Sequence, residues 1–284
     1  MPGIIICFMN QNKSLKKHNT AYFLFREHNL NQNPELKNLE RELIVEEPLS
    51  INIQGKNYAV IMRTPGFEKA HAAGFCLAEG IIDNVLDIAD IALCDNDDSN
   101  VVAVKLTQKR AEKIANLLFK KGYLSQTGCG LCGREIIDDL TDNLKTLKQT
   151  FTISFASAMQ VVDQMKGIQK LRKRCFSSHA AAIFNRDLQK ISEAEDVGRH
   201  NALDKTIGTL LLNNRLVDAS LALLSSRASY EMVQKCARAN IELIISMARP
   251  TALAVSLGET CGITLASVRD NGLYVFTGKS RITK

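Results

Sequence analysis

Apolar and polar residues alternate over Leu49–Ile53, turn-forming residues occupy Gln54–Asn57, and Tyr58–Met62 returns as an apolar run, which predicts a β-hairpin. Arg63-Thr64-Pro65-Gly66 then opens a helix running to about Glu79 and closed by Gly80, with Phe67, Ala70, Gly74 and Leu77 on one face. Val85–Leu93 and Val101–Leu106 read as strands joined by the acidic turn Asp95–Asn100. Thr107 is placed to cap a helix through Lys120, with Gly122 past its end, and Ile136–Leu147 has helical spacing. Residues 1–40, rich in Asn, Gln and Lys, have weak periodicity and read as a weakly ordered lead-in.

The second half has another rhythm. Ala180–Phe184 and Leu188–Ile191 suggest a hairpin, and residues 199–212 a helix with Ala202, Leu203, Ile207, Leu210 and Leu211 on its apolar face. Strand Leu221–Leu224, helix Ser229–Ala239, strand Ile241–Ser246, helix Pro250–Leu257 and strands Ile263–Val268 and Leu273–Phe276 follow. Strands alternating with single helices imply parallel strands covered by helices. The expected class is α/β, with a smaller α+β domain over 41–150 and an α/β ligand-binding domain over 151–284.

Composition narrows the class of protein. Hydrophobic content of 45% and charged content of 23% suit an ordinary globular chain. The net charge of +6 is spread along the sequence, which fits an anionic ligand better than nucleic acid. No run approaches the roughly 20 apolar residues needed to span a bilayer. Ile4–Met9 is too short for a signal sequence, and its lysines follow it. Six of the eight cysteines are scattered, several in apolar runs, as expected of buried free thiols in a reducing compartment. The expected location is cytoplasmic, with no permanent metal.

The other two cysteines stand in Gly128-Cys129-Gly130-Leu131-Cys132-Gly133. Glycine before, between and after them predicts a pliant loop. A C-x-x-C pair can cycle between dithiol and disulfide, can supply half a zinc site, or can carry sulfane sulfur as a persulfide. Cys175 and His179 are candidates to complete a zinc site, but the 42-residue gap after Cys132 is not a recognised zinc spacing.

Two strand-to-helix turns carry a second kind of chemistry. Ser225-Ser226-Arg227-Ala228-Ser229 offers Ser229 as an N-cap, and Met247-Ala248-Arg249-Pro250-Thr251 places Pro250 for the first helical turn. In a parallel sheet both lie at the carboxyl edge, where helix N-termini and arginines favour phosphate. One such turn is equally well a routine cap beside a solvated arginine; two on one edge point to a phosphate-bearing ligand. Glu195–Lys205 is denser still: Asp196 is placed to cap the helix, Arg199 to reach a phosphate, and His200 and Asp204, four apart, to face each other.

Cys129-Gly-Leu-Cys-Gly133, Glu195-Asp-Val-Gly-Arg-His-Asn-Ala-Leu-Asp-Lys205, Arg227-Ala-Ser-Tyr-Glu231, Pro250-Thr-Ala-Leu-Ala254 and Leu273–Ile282 together resemble the formate dehydrogenase accessory sulfurtransferases, the FdhD family. The resemblance begins near Arg63-Thr-Pro-Gly66. It implies a homodimer with a cytidine-deaminase-like ligand-binding domain, a mixed sheet covered by helices. It implies sulfur taken from an IscS-like cysteine desulfurase and passed to the molybdenum (or tungsten) bis-molybdopterin guanine dinucleotide, a substrate for this chain, on behalf of formate dehydrogenase. Cys129 matches the persulfide-bearing position and Cys132 its partner. Val268-Arg269-Asp270-Asn271-Gly272-Leu273 aligns with the stretch tied to the cofactor. The chain departs from the family pattern at Phe176-Ser177-Ser178 (usually Thr-Gly-Gly), at Ser226 (usually Gly) and at Ser267-Val268 (usually Gly-Phe).

The combined expectation is a sulfurtransferase with Cys129 and Cys132 catalytic. Arg199, Arg227, Arg249 and Arg269 hold phosphates, with Ser229, His200, Asp204 and residues 268–273 around them. Three rivals remain at this point: a cofactor chaperone without sulfur transfer, a C-x-x-C redox protein and a structural zinc protein. Deaminase chemistry is not expected, because His179 is followed by Ala180-Ala181 and Cys129 is preceded by Gly128, not by the proline of the zinc motif.

Overall fold

The computed structural model describes residues 14–24, 35–94, 100–115, 144 and 146–284. Cys129 and Cys132, the end of the helix after Thr107, nearly all of Ile136–Leu147 and the Asp95–Asn100 turn except Asn100 lie outside them.

The stretch read as a lead-in carries the first two strands. β1 (Leu15–Leu24) and β2 (Glu35–Ile44) form an antiparallel ribbon in which Lys17 pairs with Glu40 across the strands at 2.7 Å. A four-stranded sheet follows, in the order β4-β3-β6-β5: β3 (Glu47–Ile53), β4 (Lys56–Arg63), β5 (Ile88–Leu93) and β6 (Val101–Leu106). The expected hairpin is β3–β4, turning at Gln54-Gly55, both with positive φ. Leu49, Ile51 and Ile53 face inward as the alternation requires. Val85–Asp87 is a 3-10 turn capped by Asn84 and not strand, so β5 starts three residues later than its apolar run. Helix α1 (Glu68–Ala78) covers this sheet, and the short α2 (Gln108–Lys113) follows β6.

The larger sheet has the order β13-β12-β11-β10-β8-β9. Its strands are β8 (His179–Phe184), β9 (Lys190–Asp196), β10 (Leu221–Arg227), β11 (Leu243–Ala248), β12 (Thr264–Arg269) and β13 (Gly272–Thr277). β10, β11 and β12 are parallel, whereas β8–β10, β8–β9 and β12–β13 pair antiparallel, so the sheet is mixed. β9 begins at Lys190 because Leu188 sits in the turn at φ 60°. One face is covered by α6 (Arg199–Leu212), α7 (Tyr230–Arg238) and α8 (Ala252–Cys261), whose Leu203, Val233 and Leu257 share a core with α1 and the smaller sheet. On the other face lie α3 (Phe155–Asp163) and α4 (Met165–Ile168), followed by α5 (Lys170–Cys175). A short parallel pair, β7 (Ile153–Ser154) with β14 (Ile282–Thr283), closes that second core.

α1 and α6 approach backbone to backbone at two glycines. A Cβ on Gly208 would stand 1.7 Å from the Ala70 carbonyl oxygen, and one on Gly74 2.0 Å from that of Asp204. Gly208→Ala must therefore force the helices apart and is expected to lower stability by about 3 kcal/mol, the upper end of ordinary overpacking. Gly167→Ala makes the same change in α4 with nothing within 4 Å. It should be neutral or stabilising by up to about 1 kcal/mol through helix propensity. Urea midpoints of the two variants check the contrast, and equal midpoints would refute the tight crossing.

Candidate anion site at the carboxyl edge of the large sheet

The three parallel strands end at one edge, and each hands the chain to a neighbouring helix or turn. Because α7 and α8 follow β10 and β11, and α6 follows β9, the N-termini of α6, α7 and α8 all open at this edge on the same face. Free N–H groups and aligned peptide dipoles make each helix start favourable to anions. Their caps are Gly198, Ser229 and Thr251. Asp196 is not the cap; it precedes it and accepts from the Gly198 N–H at 2.8 Å. Pro250 lies before the Thr251 cap, not in the first turn, and the Thr251 hydroxyl accepts from the Ala254 N–H. The Ser229 hydroxyl makes no cap bond, and its buried oxygen has no hydrogen-bond partner.

Arg199, Arg227 and Arg249 stand at these three starts. Burial and the facing Arg227 hold the Arg199 guanidinium below the usual arginine range, with Glu231 only partly offsetting them. The Arg199 Nε is buried without a partner. The half-buried Arg199 and the exposed Arg227 thus stand close enough to repel each other, with Glu231 opposing that repulsion only in part. His200 is 2.7 Å from Glu231, and this contact lowers the Glu231 carboxyl against burial, which raises it. His179, at the start of β8, joins the cluster. Burial first, then Arg199, Arg172 and His200, keep it below the ordinary histidine range and neutral at neutral pH. The sequence offered His179 as a metal ligand or as a structural histidine before an apolar strand; its place as the first residue of the strand beside β10 was the available signal for this edge.

Asp204 is not part of the opening. It is one turn deeper, buried, with both carboxylate oxygens 2.8 Å from Lys235 Nζ of α7. The expected His200–Asp204 pairing is therefore replaced by His200–Glu231 and Lys235–Asp204, two bonds between α6 and α7. Burial raises the Asp204 carboxyl and Lys235 opposes it.

Residues 268–273 form the hairpin between β12 and β13 at the same edge. Val268 and Leu273 pack against the second core, whereas Arg269, Asp270 and Asn271 are exposed, with Asp270 at φ 51° and Arg269 3.4 Å from its carboxylate. Each parallel strand carries a serine near this edge: Ser226 bonds the Arg227 carbonyl, Ser246 bonds those of Ala248 and Ala266, and Ser267, in register with Ser246, has a buried hydroxyl with no partner.

A buried network ties the site's floor to the smaller sheet. Asp196 Oδ2 accepts from Lys205 Nζ at 2.6 Å and from the Thr64 N–H at 3.1 Å, while Oδ1 accepts from Asn201 Nδ2 at 2.8 Å. Lys205 Nζ also donates to the Thr64 carbonyl at 2.6 Å, and Asn201 to that of Met62 at 2.8 Å. Burial lowers the Lys205 ammonium although Asp196 opposes it. Beside this network, His71 of α1 is fully buried. Burial, then Lys205, Lys235 and Arg63, hold its imidazole well below the ordinary range. The unfolded chain gains a proton there below about pH 6.5 and the folded chain does not, so stability is full above that pH and falls below it, by at most about 1.4 kcal/mol per unit. Urea midpoints at neutral and mildly acidic pH should converge more closely in His71→Gln than in wild type; equal spreads would refute the assignment.

A surface depression of about 530 Å³ lies at the opposite edge, by Gly258, Gly262, Phe276 and Gly278. It meets the C-terminal end of α8, where the dipole disfavours anions, so it is not the better candidate. Among the described residues no group of three or more His, Cys, Asp and Glu could hold a metal ion, and no helix is long and apolar enough to cross a membrane.

The sequence model of the FdhD/NarQ family matches residues 44–283. Similar curated proteins include the sulfur carrier protein FdhD of Streptomyces coelicolor, 33% identical over 251 residues, covering 84% of this chain and 88% of its own. That of Mycolicibacterium paratuberculosis is 35% identical over 248 residues, covering 84% and 91%. That of Saccharolobus solfataricus is 33% identical over 243 residues, covering 84% and 90%. A solved chain from Desulfotalea psychrophila, named as a candidate formate dehydrogenase accessory protein, shares the fold with a TM-score of 0.71 at 21% identity, covering 94% of this chain and 99% of its own. With its family motifs spread over both halves and relatives matched across most of its length, this chain belongs to the FdhD/NarQ family.

Proposed function

We propose that this chain is a cytoplasmic sulfurtransferase that serves formate dehydrogenase. A cysteine desulfurase presents a persulfide; the Cys129 thiolate attacks its terminal sulfur, the donor's S–S bond breaks, and the donor cysteine leaves as a thiolate. The acceptor is the molybdenum (or tungsten) of bis-molybdopterin guanine dinucleotide, held as a substrate. Attack by the Cys132 thiolate on the Cys129 sulfur releases hydrosulfide toward it and leaves a disulfide, which a cellular dithiol then reduces.

Membership of a family whose curated relatives are named sulfur carrier proteins supports the sulfur half of this reading. The observation that carries the cofactor half is the under-compensated Arg199–Arg227 pair at three converging helix starts. These groups fit the phosphates of a guanine dinucleotide, with Arg249 and Arg269 along the same edge. His200 orients Arg199's surroundings through Glu231, and Asp204 acts by holding α6 to α7. We further propose a cytidine-deaminase-like relationship for the large mixed sheet and a homodimeric assembly.

The test is intact-protein mass spectrometry after incubation with a cysteine desulfurase and cysteine under non-reducing conditions. A gain of about 32 Da per sulfur, reversed by reductant, supports the relay. A chain that binds the cofactor and never gains sulfur would instead be a chaperone.

A further inference from the structure

Tyr274 stands out at the carboxyl edge. It is 49% exposed, whereas Ser267, across the ladder from it, and Ser246, next in line, are wholly buried. The Arg249 guanidinium lies over its ring, 5.4 Å from the centroid, and Phe276 abuts it at 6.5 Å between centroids. The ring is thus held by its neighbours while half its surface faces outward. Beside it the Ser267 hydroxyl is buried without a partner, which costs stability unless something else bonds it. A hydroxyl both donates and accepts, as the polar rim of a heterocycle requires.

We infer that Tyr274, with Arg249 stacked on it and Ser267 beside it, is the platform for the heterocyclic base of the bound nucleotide and sets the preference for a nucleotide over bare phosphate. The inference rests on the reading of this edge as a nucleotide-cofactor site. Aromatic and guanidinium planes are the usual surfaces on which bases stack. β13 lies three strand spacings from β10, roughly 14 Å, so a base on Tyr274 is separated from phosphates at Arg227 by a gap that a ribose and diphosphate bridge. Tyr274 is a specificity-determining residue in this scheme, and its ring, not its hydroxyl, does the work.

Calorimetric titration of GDP and of inorganic pyrophosphate into wild type, Tyr274→Ala and Tyr274→Phe tests this. Tyr274→Ala should weaken GDP about 5- to 100-fold and leave pyrophosphate unchanged. Tyr274→Phe should keep GDP affinity within about twofold, since the stacking face survives. The chain has no Trp and five Tyr, so tyrosine emission is readable. Quenching by GDP should shrink in Tyr274→Phe although binding persists. Unchanged GDP affinity in Tyr274→Ala, or an equal loss for GDP and pyrophosphate, overturns the platform alone. Wild type that binds neither ligand overturns the reading of the edge, and the platform with it.

Discussion

Cys129→Ala is expected to abolish sulfur loading completely: the gain of about 32 Da expected of wild type after treatment with desulfurase and cysteine should be absent from the variant. The reason is the selectivity of thiolate chemistry. Only a deprotonated, reachable thiol attacks a persulfide. Among the described residues Cys76 and Cys236 are fully buried, and burial pushes both thiols far above the ordinary range. Cys261 is pushed up in the same way, and Cys175 is buried. Cys94 is exposed, so Cys94→Ala is the necessary control and should load as wild type does. The variant should also bind GDP normally, because every arginine proposed to hold phosphate is remote in sequence from residue 129. An equal gain in Cys129→Ala would assign the sulfur to another thiol, and activation of a formate dehydrogenase by that variant would sink the relay.

Lys205→Met is expected to lower stability by about 3–5 kcal/mol, the range for stranding one member of a buried ion pair. Asp196 and Lys205 are both at 0% exposure, and the ammonium is shared between the Asp196 carboxylate and the Thr64 carbonyl. Without it, a carboxylate is left under the first turn of α6. The double variant Asp196→Asn/Lys205→Met removes both charges and should recover most of the loss, since the coupling belongs to the pair. Chemical denaturation of wild type, Lys205→Met, Asp196→Asn and the double variant gives the coupling directly. Purely additive losses would mean the network is not an ion pair in function. The single variant should also weaken GDP, because Asp196 fixes the Gly198 amide and hence the start of the helix that carries Arg199.

Local pattern sufficed where a segment's partner was its own neighbour. The hairpin over Leu49–Met62, the helix over 199–212 and the strand–helix alternation after 221 all follow from spacing, and so does the placement of two strand-to-helix turns at one sheet edge. It failed where a distant residue won. Spacing of four allowed His200 to face Asp204, but Lys235 reaches Asp204 from α7 and Glu231 meets His200, and no i,i+4 rule sees another helix. The helices over Phe155–Cys175 went unread although Ser154 caps the first of them and Ala158, Val161, Val162, Met165 and Ile168 recur on one buried face. The ribbon β1–β2 escaped because its strands mix charged, polar and apolar residues without a strict period-2 alternation, and the Lys17–Glu40 pairing is visible only once the register is known.

The pairing of β7 with β14 bears on how the molecule is made. Ile153 meets Ile282, and Arg281 is bonded to the carbonyls of Glu242 and Gly262, so the second core is sealed by a segment synthesised more than a hundred residues after the strand it completes. Closing so large a loop carries an entropic penalty that local helices cannot offset in advance. The last step in folding this half is therefore governed by long-range closure. A nascent chain stalled before residue 281 holds Phe151, Ile153 and Val161 without their cover, a form that chaperones and proteases will recognise.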